Sequence, residues 1–137
     1  MLELADAAFL VFHTALILFN VFGWLVPAWR RANLWALLLT AASWFGLGIF
    51  YGLGYCPLTD WHWQVLRALG TTDLPRSYIQ YLLTRLTGLV PDPSLVDTAV
   101  GVGFALALVV SAGLNIRDWR RSHRQVDTPQ TPPAPKR

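Results

Sequence analysis

Charge is scarce in this sequence: 14% of its 137 residues are Asp, Glu, Lys or Arg, where a soluble domain carries roughly 25%. That shortage excludes an ordinary water-facing surface and leaves no room for a separate soluble catalytic domain. Cysteine is scarcer still. Cys56 stands alone, which excludes an intramolecular disulfide and any multi-cysteine zinc site. Of three histidines only His13 falls inside an apolar run, so a bis-histidine haem is disfavoured and no cofactor is expected. Glu3 and Asp6 stand where a signal peptide has its basic residues, and the apolar run after them outlasts an ordinary signal core; it reads as a retained membrane anchor. The chain shows no inverted repeat of the transporter kind. It also lacks an aromatic-interleaved basic surface, so no nucleic-acid partner is expected.

What is present is apolar: 54% of the residues are hydrophobic, and they are concentrated in three runs, at about 7–29, 34–55 and 95–116. Each is long enough, at 1.5 Å per residue, to cross a hydrocarbon layer of about 30 Å. Helix is required there because lipid offers no partner to unpaired backbone groups. The fold class expected is therefore all-α: an integral membrane protein with three transmembrane helices in residues 1–121, and a basic, proline-rich, disordered cytoplasmic tail over 122–137.

The formal net charge of +3 belongs to that last part of the chain. From Arg117 onward the balance is +4, and the preceding 116 residues carry −1. The Arg30-Arg31 loop and the C-terminal region together hold eight Lys/Arg, against three (Arg67, Arg76, Arg85) on the opposite side. The positive-inside rule then places the N-terminus outside and the C-terminus in the cytoplasm of a bacterial inner membrane. Arginines directly after an apolar span read as an anchor near anionic lipid.

The 57–94 connection is not a plain loop. Residues 60–69 predict an amphipathic helix with Thr59 as N-cap and Gly70 as stop. Its apolar face is Trp61, Val65, Leu66 and Leu69. A second begins near Pro75 and ends before Gly88, with Ile79, Leu82, Leu83 and Leu86 as its apolar stripe. Both are too short to span and should cap the bundle or lie at the outer interface. Small residues at four-residue spacing (Gly48 and Gly52 in the second span; Gly103, Ala107, Ser111 and Asn115 in the third) offer close helix approach.

Two features offer chemistry. Asp6, His13 and Asn20 recur at heptad spacing, which brings them to one helix face. Polar groups at membrane depth face other helices or water. Cys56 opens the segment Cys56-Pro57-Leu58-Thr59-Asp60 at the same end of the bundle, so Asp6, His13, Cys56 and His62 can gather in one outer pocket. As catalytic candidates, Asp6, His13 and Cys56 would supply an orienting carboxylate, a base and a thiolate. As weak metal candidates, His13, Cys56 and His62 offer nitrogen and sulfur, although Cys-x5-His matches no strong zinc pattern. The alternative is that all of them serve only packing.

Several motifs together resemble a known family. Leu4-Ala5-Asp6 with His13, a glycine-rich second span ending in Cys56-Pro57-Leu58-Thr59, the helix Tyr78-Ile79-Gln80-Tyr81-Leu82-Leu83, and Asn115 are similar to the small bacterial membrane proteins of domain of unknown function 2784. The resemblance covers about residues 4–121. It implies an inner-membrane protein and no particular activity; the Asp60-Trp61-His62-Trp63 segment departs from its pattern, so no role for His62 follows from it. Three functions stay open: a non-enzymatic accessory or interaction subunit, self-associating or part of a larger membrane complex; a thiol, redox or metal-dependent membrane enzyme; and an oligomeric proton-coupled transporter or channel.

Overall fold

The structure, a computed structural model, describes residues 1–126. It is all-helical in that range, and three helical stretches, Leu2–Leu25, Pro27–Tyr51 and Pro93–Arg124, are long and apolar enough to cross a membrane. Helix α1 runs over Leu2–Phe22. The chain then turns through two short 3-10 segments, Gly23–Leu25 and Pro27–Trp29. Between them Val26 is extended (φ −92°, ψ 114°), because the ring of Pro27 disfavours helical backbone in the residue before it. The helical break expected at Arg30-Arg31 therefore comes several residues earlier, and both arginines begin α2, Arg30–Ala41.

The second span continues from α2 through a π-helical stretch, Ala42–Leu47, into α3, Gly48–Tyr51. The Ser43 hydroxyl donates to the Tyr55 carbonyl at 2.9 Å, and the Gly54 amide reaches the Trp44 carbonyl at 3.4 Å. These contacts fold the chain after α3 back onto the widened turn. Gly52 ends the helix at φ +100°, a left-handed conformation open to glycine and costly for other residues. A Cβ on Gly48 would sit 3.2 Å from the Leu53 Cα. Gly48 and Gly52 thus serve the helix end and its return, not a seam between helices, and the span stops at Tyr51 rather than 55.

Helix α4, Pro57–Ala68, begins two residues ahead of the expected Thr59 cap, with extended Cys56 as its N-cap and Pro57 in the first turn, where a missing N–H costs nothing. It ends in a Schellman turn: Gly70 (φ +91°) donates to the Arg67 carbonyl and Thr71 to that of Leu66, both at 3.0 Å. Helix α5, Tyr78–Thr87, stops at left-handed Gly88 as expected but starts three residues after Pro75. The Pro75 carbonyl is taken by the Trp63 indole at 3.1 Å, which holds the link between the two short helices extended.

Helix α6, Pro93–Val126, is capped by Asp92, whose carboxylate accepts from the Leu95 amide at 2.9 Å and the Ser94 hydroxyl at 2.6 Å. Residues 122–126, assigned above to the tail, continue this helix; no proline interrupts it before Pro129. The remaining residues, 127–137, lie outside the described range.

Helix α6 packs along α2 and also meets α1, while α1 carries α4 on its far half. The buried hydrophobic core is small and lies under the cap: Trp63, Leu66 and Tyr78, with Leu10, Ile17, Leu74, Tyr81 and Leu82 packed against it. The apolar faces of the two short helices are split. Leu66 and Leu82 pack into the core, while Trp61, Leu69, Leu83 and Leu86 are exposed, Leu86 at 72%, and His62, Trp63, Tyr78 and Gln80 are buried as well. The reason is in α1. Its polar stripe has to be covered, and only the polar and aromatic faces of α4 and α5 supply hydrogen bonds to do it.

Candidate functional site

Two polar constellations sit along the α1 stripe, one at the Asp6 end of the bundle and one at the Arg30 end. At the Asp6 end the carboxylate is gripped from two elements. Nε2 of His62 donates to Oδ1 of Asp6 at 2.7 Å. The Arg85 guanidinium donates to both oxygens, NH1 to Oδ1 and NH2 to Oδ2, each at 3.0 Å, a bidentate fork in which each hydrogen bond is charge-assisted. Arg85 NH1 also donates to the Tyr81 hydroxyl, and the carboxylate beside it raises the already high guanidinium pKa. His62 is fully buried, whereas the Arg85 side chain is 38% exposed; the clasp runs from the rim inward.

Because a carboxylate oxygen only accepts, Nε2 of His62 carries a hydrogen. Nδ1 of His62 has no hydrogen-bond partner. About two turns further along α1, His13 is buried and stacks on Tyr78 with ring centroids 3.8 Å apart. His62 is flanked by Phe9, Trp63, Tyr78 and Tyr81, with centroids at 5.5 to 5.8 Å. Nδ1 of His13 is likewise buried without a hydrogen-bond partner, and the buried Tyr78 hydroxyl stands beside Oγ1 of Thr14. Burial pushes the Tyr78 phenol up to about 12.

Asp6 and His13 share the expected face of α1, but they do not touch. Between them stand His62 and Tyr78, supplied by the connection. Cys56 is apart from both: it is half-buried as the N-cap of α4, and among the described residues no hydrogen bond joins its thiol to Asp6, His13 or His62. Nor does any group of three His, Cys, Asp or Glu among the described residues stand where it could hold a metal ion, so His13, Cys56 and His62 do not assemble into a metal site.

At the Arg30 end the network is built mainly of neutral amides and hydroxyls. Fully buried Asn33 donates through Nδ2 to the Phe19 carbonyl at 2.6 Å and to that of Asn20 at 3.3 Å, and its Oδ1 accepts from buried Ser111 at 2.7 Å. Asn115 donates to the Arg30 carbonyl at 3.0 Å and the Ser111 carbonyl at 2.8 Å. Asn20 donates to Thr40 at 3.1 Å, and Arg30 pairs with Asp118 at 2.8 Å. All three spans meet here. Gly23 makes the approach possible, since a Cβ on it would lie 2.9 Å from Nδ2 of Asn33 and 3.0 Å from the Phe19 ring. Of the small-residue stripe on α6, Ala107, Ser111 and Asn115 line this seam; a Cβ on Gly103 would meet nothing within 4 Å.

A family model described as Protein of Unknown function (DUF2784) matches residues 3–116. The chain belongs to that family. No curated protein and no solved structure matches it. The DUF2784 segment contains the Asp6 clasp and the Asn33 network up to Asn115, and ends just before Arg117 and Asp118 of α6.

Arg85, Tyr78 and Tyr81 are absent from the sequence-based candidates because the apolar stripe of this helix, Ile79, Leu82, Leu83 and Leu86, leaves all three out. A signal was there: 78, 81 and 85 follow the i, i+3, i+7 pattern of one helix face, and that face is aromatic and basic where α1 offers an acid. His62 was available from sequence only as a neighbour of Cys56; its pairing with Asp6 spans 56 residues and depends on the cap folding over α1.

Proposed function

We propose that the protein is a non-enzymatic accessory or interaction subunit of a bacterial inner membrane, with the N-terminus outside and the C-terminus cytoplasmic. The observation that carries this reading is what Asp6 holds. The carboxylate that the sequence offered as an orienting group for His13 is spent instead on His62 and Arg85, which fixes the cap on α1. The outward apolar faces of α4 and α5 then form a rigid outer surface for a partner helix or lipid. The arginine asymmetry supports the orientation. A membrane-impermeant maleimide is expected to label Cys56 in intact cells, and labelling confined to inverted vesicles would reverse the orientation.

A second reading is favoured by one observation: the buried, unpartnered Nδ1 atoms of His62 and His13 beside the Tyr78 hydroxyl. In it Asp6 orients His62 through Nε2, and Nδ1 is a general base. Tyr78→Phe separates the two, since it keeps the ring stack and removes only the hydroxyl. The accessory reading expects wild-type thermal stability and an undiminished cellular phenotype. A folded Tyr78→Phe protein that has lost the phenotype would overturn it in favour of acid–base chemistry.

A further inference from the structure

The end of α6 carries a feature that the clasp does not use. Arg117, Arg120, Arg121 and Arg124 follow an i, i+3, i+4, i+7 pattern and so share one helix face. They line an open groove of about 310 Å³ together with Gly113 and Ile116. The groove is thus graded: an apolar floor on the membrane-spanning part of the helix and a basic rim on its extension. Gly113 leaves the floor open, since a Cβ there would meet nothing within 4 Å.

The opposite side of the same helix end is different. There a second groove of about 360 Å³ is lined by Arg30, Arg31, Asp118 and Trp119 among others, and the Arg30–Asp118 pair at 2.8 Å consumes much of its charge. In the first groove Oδ1 of Asp118 lies 3.6 Å from Nε of Arg117. Arg120 and Arg121 stand between Arg117 and Arg124 on the basic strip. Seven residues of helix extend about 10 Å, enough to cross a headgroup layer of about 5–7 Å on one side of a bilayer. Guanidinium groups bind phosphate oxygens through paired N–H donors.

We propose that this face of α6 is a binding site for an anionic glycerophospholipid, with the lipid phosphate on Arg117, Arg120 and Arg121 and an acyl chain along Gly113 and Ile116. Charge complementarity selects an anionic over a zwitterionic lipid, and the continuous apolar floor selects a lipid over a free phosphate. The site goes beyond the proposed accessory role and stands whether or not that role is correct.

The test uses the full chain, purified with an equimolar mixture of phosphatidylglycerol and phosphatidylcholine and analysed for retained lipid by native mass spectrometry. Wild type is expected to retain phosphatidylglycerol in clear excess. At about fivefold per basic side chain near the membrane surface, Arg120→Ala/Arg121→Ala is expected to lower that preference roughly twenty-five-fold. Arg31→Ala, in the neighbouring groove, is expected to leave it unchanged, and thermal unfolding checks that each variant is folded. Equal retention of the two lipids by wild type, or an unchanged preference in the folded double variant, would overturn the proposal. So would full displacement of the lipid by glycerol phosphate lacking acyl chains at the same concentration, which would mark a phosphate site instead.

Discussion

The Asp6 clasp and the Asn33 knot lie along the same helix α1, nearly four turns apart, and they solve the same problem differently. Each buries polar groups between helices. The knot does so with neutral amides and hydroxyls: Asn33 satisfies both its polar atoms among Phe19, Asn20 and Ser111, and Oδ1 of Asn20 is the one side-chain atom there left buried and unpartnered. The clasp does so with an ion pair, and around it His13 and His62 each keep a buried Nδ1 without a partner. A saturated neutral network fixes helix register at little electrostatic cost. A charged network with open valences costs more to bury and is retained where geometry or chemistry at that point matters.

The comparison breaks most sharply at Asp6. Asp6→Ala strands the buried Nε2 of His62 and unpairs Arg85, and with Arg85 reaching solvent the loss is expected to be about 2–3 kcal/mol, read by denaturant unfolding in detergent. A loss below about 1 kcal/mol would place the clasp among surface ion pairs. Asn33→Ala comes next, at about 2 kcal/mol, because interhelical hydrogen bonds in membranes contribute only about 0.6 kcal/mol each on average and a cavity adds the rest. If Asn33→Ala costs more than Asp6→Ala, the ranking of the two regions is inverted. The smallest effect is a titration. Of four tyrosines, Tyr78 is expected to ionise only at about pH 12, seen as tyrosinate absorbance that vanishes in Tyr78→Phe. Since folding raises this pKa, its contribution to stability is present in full below about pH 10 and is lost as pH rises towards 12. A Tyr78 that ionises with the exposed tyrosines would mean the cap is loose.

How much of this was legible depended on the range of the interaction. Gly70 and Gly88 were readable as helix stops because left-handed backbone is a local property of glycine. The heptad of Asp6, His13 and Asn20 was readable because helical periodicity is local too. The buried faces of α4 and α5 were not. Hydrophobic patterning assumes that the apolar side goes inward, and that holds where water lies outside. Here Leu83 and Leu86 face outward while Tyr78 and Gln80 are buried and Leu66 and Leu82 pack into the core, because the bonds of His62 and Arg85 to Asp6 help set how the two helices are turned. The proposed gathering of Cys56 with Asp6 and His13 failed for a related reason. Being at one end of the bundle fixes depth, but not which side of a helix a residue faces.

By itself the sequence determined that the chain is helical, that three stretches are long and apolar enough to span a membrane, and where the short helices end. Those properties are written in runs and turns of neighbouring residues. Only the tertiary structure decided that Asp6 belongs to His62 and Arg85, that Asn33 joins all three spans, and that Cys56 stands aside. Each of those pairings joins residues far apart in the chain, and what selects among them is the satisfaction of buried polar groups in three dimensions, which no local pattern encodes.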